Sequence, residues 1–164
     1  MLKVMILGGG TMGQLHLQEW SKMNDVQVVG IYGNRKSKLA PLAKTYQIPV
    51  FDDMQQMLHE ADADVVDICL PTHLHHEAAL KAAEAGKHVI CEKPLAVNAT
   101  EAEEIRQALE QKGKTLLVAH VLRYFPEYAQ ARQIVRDGKL GQIGVVRLSR
   151  CAPYPHGSAS SWYQ

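Results

Sequence analysis

Residues 8–13 read GGGTMG, which places Gly8, Gly10 and Gly13 at the spacing G-x-G-x-x-G. Between a strand and a helix, such a turn cradles a pyrophosphate. Its glycines allow a tight turn, close backbone approach and close helix packing, while the helix start aims free N–H groups and a positive dipole end at the anion. Thr11 and Met12 complete the turn and share the contact with a dinucleotide. About twenty residues after such glycines an NAD site offers an acid to the ribose 2′-hydroxyl. Here the chain reads YGNRKSK instead. Gly33 removes the carboxylate, Arg35 offers a planar fork for a 2′-phosphate, and Asn34 or Ser37 can donate to it. Arg35, Lys36 and Lys38 crowd a helix start, where the dipole disfavours cations and an anion relieves the conflict. A solvated basic turn would also account for Lys36 and Lys38. The reading is NADP in preference to NAD, with NAD left open.

A further stretch, AGKHVICEKPLA, sets Glu92, Lys93 and Pro94 at the end of a short apolar run. In open α/β sheets the carboxyl ends of the strands are where ligands bind. A lysine beside a carboxylate there can pass a proton to or from a substrate, given burial or a nearby positive charge to bring its pKa toward neutrality. An ordinary surface Glu–Lys pair before a proline turn would read the same. The run THLHHE invites comparison with the zinc motif T-H-x-H-x-D-H, but Ala78 stands where the last histidine belongs, so no metal is expected. His16 and the other scattered histidines carry no argument at this stage.

The elements that must position these groups follow from periodicity. Short β-branched runs alternate with longer runs of helical period, the pattern of βαβ units and a parallel sheet. Strands are expected at Leu2–Leu7, Val26–Tyr32, Val65–Leu70, His88–Cys91 and Leu116–Ala119. Helices are expected near Met12–Lys22, Lys38–Tyr46, Met54–His59, His75–Ala85, Thr100–Gln111 and Glu127–Asp137. Thr100 and Glu103 read as a capping box, and Gly86, Gly113 and Gly138 as C-caps. Ile143–Cys151 reads as one more strand, whose exposed edge would favour self-association, before the turn-rich APYPHGSASSWYQ. The fold class is therefore α/β, a Rossmann-type doubly wound parallel sheet with helices on both faces, followed by the start of something cut short.

GGGTMG, PTHLHHEAALKAAEAGKHVICEKPLA and HVLRYFPEY together resemble the glucose-fructose oxidoreductase/inositol dehydrogenase (Gfo/Idh/MocA) family over residues 1 to about 150. The resemblance implies a dinucleotide-binding domain over residues 1–120 and makes 121–164 the start of a truncated second α/β domain, the beginning of a substrate and oligomerisation domain. It makes Lys93 the catalytic lysine, with Glu92 beside the nicotinamide. Leu70, Pro71 and Thr72 match the family's loop along the cofactor, His75 its recurrent histidine, and Arg123 an arginine near nicotinamide or substrate. The family's second domain carries an Asp and a His, near G-G-x-x-x-D-x-x-x-H, and this chain stops at Gln164 without them. The expected partners are a small sugar or polyol and further copies of the chain.

Bulk composition narrows the field. With 18 Lys plus Arg against 17 Asp plus Glu, the net charge of +1 gives no electrostatic case for nucleic acid or an anionic membrane. LKVMIL is too short for a signal core or a span. The three cysteines lack a C-x-x-C pair and read as reduced thiols of a cytoplasmic protein. Two functions stay in view: hydride transfer between a sugar or polyol and the nicotinamide with Lys93 as acid/base, or a non-catalytic nucleotide-binding regulator or structural subunit that kept the fold.

Overall fold

The computed structural model describes residues 1–151. The turn-rich run from Ala152 on, His156 included, lies outside the described residues. The chain divides into two units, residues 1–120 and a second from Val121 on.

In the first unit, six strands alternate with helices: β1 Leu2–Leu7, α1 Thr11–Trp20, β2 Val26–Tyr32, α2 Lys36–Tyr46, β3 Val50–Phe51, α3 Met54–Glu60, β4 Val65–Ile68, α4 His75–Glu84, β5 His88–Cys91, α5 Ala99–Gln111 and β6 Leu116–Val118. All ladders are parallel, in the order β3-β2-β1-β4-β5-β6. The order reverses between β1 and β4, which opens a crevice beyond the carboxyl ends of those strands. Leu7 pairs with Tyr32 and Ile68, and Ile68 with Cys91, so four strand ends finish level along one edge.

Side chains alternate across a strand, so the sheet has two cores. Met5, Leu7, Val66, Ile68, Val89 and Cys91 pack with α3, α4 and α5 residues such as Leu58, Ala79 and Ile105. Ile6 and Ile31 face the other way, against Leu17 of α1 and Leu39 of α2. Asp67, between Val66 and Ile68, therefore points to the α1 side, where it is wholly buried.

The strands and helices expected up to Asp137 recur within about two residues at their ends, and Gly86, Gly113 and Gly138 take φ of +68°, +64° and +68° as C-caps should. The capping box is a correction. α5 is capped by Asn98, whose Oδ1 accepts from the Glu101 N–H at 2.9 Å, while Glu103 pairs with Arg106. Asn98→Ala should thus cost about 1 kcal/mol in a urea titration, and Thr100→Ala should stay within about 0.5 kcal/mol of wild type.

The second unit holds a short 3-10 turn, Val121–Tyr124, and α6, Pro126–Arg136. The strand expected at Ile143–Cys151 is absent: these residues form no ladder, and Val145, Val146 and Leu148 are exposed. A β-rich sequence becomes a strand only beside another strand, and none runs alongside among the described residues. The edge-pairing argument for self-association loses its premise.

Candidate active site at the carboxyl edge of the sheet

The glycine turn leaves β1 beneath the β1/β4 crevice. Gly8 has φ +117°, a conformation that favours glycine, and a Cβ there would stand 2.5 Å from the carbonyl oxygen of Cys69. A Cβ on Gly13 would stand 1.7 Å from the Gly8 oxygen, so α1 can meet the turn only through glycine. Gly10 differs, since its Cβ would meet nothing within 4 Å and would project into open space. Gly10 is also the N-cap of α1 and gives no side-chain cap, which leaves the first N–H groups of the helix directed at that space. Open space over bare helix donors is what a pyrophosphate requires, so the residues present fit a dinucleotide. Thr11 and Met12 are exposed in that first turn. Beside it a cavity of about 400 Å³ is lined by Tyr32, Asp52, Met54, Leu70 and Leu74 among others.

Beyond β2, Asn34 and Arg35 are exposed, and Arg35 makes no ion pair among the described residues. Lys36 lies 3.9 Å from Asp52 Oδ1, so its charge is partly answered. α2 has no acid in its first turn and no side-chain cap, which keeps this corner receptive to an anion. After β4 come Leu70, then Pro71, then Thr72, which opens a one-turn 3-10 helix running to Leu74. His75, the first residue of α4, is buried with Nδ1 2.9 Å from the Pro94 carbonyl oxygen and Nε2 2.7 Å from that of Leu70. It is a clasp between the loops after β4 and β5. His73 is exposed and His76 pairs with Glu104 at 2.7 Å.

Glu92 and Lys93 follow β5 as expected, but their side chains do not pair. The Glu92 carboxylate is buried and its Oε2 accepts from the backbone N–H of Lys93 at 3.0 Å, while the Lys93 side chain is exposed and free of ion pairs among the described residues. Cys91 packs on the α3, α4 and α5 side of the sheet, and the next side chain, Glu92, turns the other way, toward α1.

There it meets a group that sequence reasoning overlooked. His16 Nε2 lies 3.3 Å from Glu92 Oε1, and His16 Nδ1 lies 2.9 Å from Asp67 Oδ2. The Trp20 indole N–H donates to the same Asp67 oxygen at 2.6 Å, and Cys69 Sγ stands 3.3 Å from His16 Nδ1. The hydrogen bond to Asp67 outweighs partial burial and, with the charges of Asp67 and Glu92, holds the His16 pKa above the ordinary imidazole range. Burial and the same carboxylates push the Cys69 thiol up. A signal was available: Asp67 interrupts the apolar run VVDIC, and a charge inside a buried strand needs a partner. Gly13, His16 and Trp20, spaced by three and four, share the α1 face that could supply one.

The glycine turn, Asn34–Arg35, Leu70–Thr72 and Glu92–Lys93 thus share one sheet edge. Arg123 belongs to the second unit, where it is exposed in the 3-10 turn.

Residues 2–120 match the model of an oxidoreductase family with an NAD-binding Rossmann fold, Gfo/Idh/MocA. D-glucoside 3-dehydrogenase of Escherichia coli is 36% identical over 155 residues, which are 92% of this chain and 44% of that protein. The structure of scyllo-inositol dehydrogenase from Lactobacillus casei with bound NAD(H) and scyllo-inositol superposes with a TM-score of 0.81 at 28% identity, covering 85% of this chain and 42% of that one. Biliverdin reductase from Synechocystis with biliverdin and NADP+ gives a TM-score of 0.77 at 29% identity over 86% of this chain and 44% of its own. The chain spans less than half the length of these relatives. No helix among the described residues is long and apolar enough to cross a membrane.

Proposed function

Because the chain belongs to the Gfo/Idh/MocA oxidoreductase family, we propose that it is the cofactor-binding part of an NADP-dependent dehydrogenase acting on a sugar or polyol. The observation that carries this reading is the sharing of one sheet edge by an uncapped helix N-terminus over a glycine turn and, two strands away, an exposed lysine with no ion pair among the described residues. Relatives named for a glucoside and an inositol support a substrate with several ring hydroxyls.

In this reading the α1 donors and the bare backbone at Gly10 hold the pyrophosphate, and Leu70, Pro71 and Thr72 flank the cofactor along the crevice. Arg35 and Asn34 take the 2′-phosphate, with Arg35 as the principal cation because Asp52 engages Lys36. When bound, the nicotinamide supplies hydride transfer at its ring carbon. Lys93 takes the proton from the alcohol on oxidation or returns one on reduction, at its Nζ. The substrate's remaining contacts, and Arg123 near it, belong to the region that opens with the second unit. Assembly as a homo-oligomer is part of the proposal, with Val145, Val146 and Leu148 as apolar surface for it to cover. So is a cytoplasmic setting, in keeping with three free cysteines.

Calorimetric titration of this chain with NADP+ and NAD+, repeated on Arg35→Ala, tests the cofactor. NADP+ should bind at least tenfold tighter, about 1.4 kcal/mol, and the margin should collapse in the variant. Equal affinities would refute the preference for NADP, and failure of both to bind would refute the cofactor site.

A further inference from the structure

Two buried carboxylates meet a single imidazole beneath the cofactor edge. Asp67 is 0% exposed and Glu92 6%, while the His16 side chain retains 17%. They come from β4, from the loop after β5 and from α1, so the contact ties the helix of the glycine turn to the residue preceding Lys93. A doubly protonated ring donates Nδ1–H to Asp67 and Nε2–H to Glu92, whereas a neutral ring has one N–H and can serve only one of them. Among the described residues the other groups at this point are neutral: the Trp20 indole donates to Asp67, and the Cys69 thiol is kept protonated by burial beside the carboxylates. The charge of the cluster is therefore set by His16.

We propose that His16 is a positioning residue that tethers the Glu92 carboxylate at the cofactor edge, and that its charge sets the relative affinity of the site for oxidised and reduced cofactor. The inference rests on the reading that places Glu92 beside the nicotinamide. The oxidised ring carries a positive charge that the reduced ring lacks, so a cation at His16 disfavours the oxidised form relative to the reduced one. Effects on the rest of the cofactor, common to both forms, cancel in the ratio of their affinities.

The sign follows from the raised pKa of His16. The ring is charged at pH 6, and as pH rises past about 6.5, the usual imidazole value, and through the raised pKa, the positive charge is lost. The affinity ratio of NADP+ to NADPH should therefore climb on going from pH 6 to 9. A unit charge acting on the order of 10 Å away through an effective dielectric near 20 gives a change on the order of tenfold.

The experiment is calorimetric titration of this chain with NADP+ and with NADPH at pH 6, 7, 8 and 9, for wild type and His16→Gln. The ratio should rise with pH in wild type; in the variant it should already be high at pH 6 and stay flat. Should His16→Gln fail to fold, Glu92→Gln reads the same charge from the other side and should lower the ratio at pH 6 by a similar factor. A flat wild-type profile, a rise that survives in His16→Gln, or a ratio indifferent to Glu92→Gln would each overturn the assignment while cofactor binding stands. Failure of either form to bind at any pH would overturn the inference together with the cofactor site.

Discussion

Gly13→Ala is expected to abolish cofactor binding and to destabilise the first unit by on the order of 3 kcal/mol, at the upper end of what overpacking costs. The added methyl carbon would sit 1.7 Å from the Gly8 carbonyl oxygen, well inside any contact distance, and the atom it strikes is backbone. Gly8 cannot retreat, because its own environment is filled by Cys69 and its φ of +117° already commits the turn. Relief must come from moving α1 away from the sheet, which opens the contact of Leu17 with Ile6 and Ile31 and displaces the helix donors. Gly10→Ala separates the two effects. Its Cβ meets no protein atom within 4 Å, so the melting curve should be unchanged while cofactor affinity falls at least about tenfold, the methyl standing where the pyrophosphate must approach. Urea titration and calorimetry on the two variants give the comparison. A Gly13→Ala protein with wild-type stability and binding would mean that the turn is not packed as described.

How much of this was legible beforehand depends on how local each determinant is. β1, β2 and β5 emerge at the expected boundaries because a run of buried β-branched residues ending in glycine or a turn is a local signal. β3 was overlooked: Val50–Phe51 is two residues long and exists by pairing with Ile31 and Tyr32. The same dependence on a partner explains why Ile143–Cys151, with the composition of a strand, is none. The cap of α5 was misplaced by two residues because Thr100 and Glu103 satisfy the motif equally well on paper, and only backbone geometry decides that Asn98 turns the chain.

The site divides in the same way. The glycine turn is legible because spacing and steric role coincide, and the position of Lys93 just after a buried strand is legible from the apolar run that precedes it. A Glu–Lys pair suggests contact by adjacency, yet the Glu92 side chain meets His16 and the Lys93 backbone N–H while the Lys93 side chain is exposed. His16 could be found only by bringing together residues far apart in the chain, since its partners are Asp67 and Glu92. His75 is expected at the cofactor from the resemblance, and the structure adds that its two ring nitrogens lie against the Leu70 and Pro94 carbonyl oxygens, contacts that periodicity does not reveal.

That division of labour sharpens what Lys93 must do. Glu92 is engaged by His16 and by the backbone, whereas Lys93 is exposed and free of ion pairs among the described residues, so in the proposed reading the proton-carrying role falls to Lys93. In a dehydrogenase that joins this chain to a substrate domain, Lys93→Ala should lower kcat for a sugar or polyol by on the order of 10²–10⁴, the usual range for a lost general acid or base. Cofactor affinity, which the proposal assigns to the turn and to Arg35, should change by only about threefold, since a solvent-exposed charge contributes little to binding. Lys93→Arg is the decisive companion. It keeps the charge but holds its proton at any working pH, so it should restore whatever cofactor affinity is lost while leaving kcat as low as in the alanine variant. Recovery of turnover by arginine would make the residue an electrostatic anchor, and unchanged kcat in both variants would remove Lys93 from the chemistry.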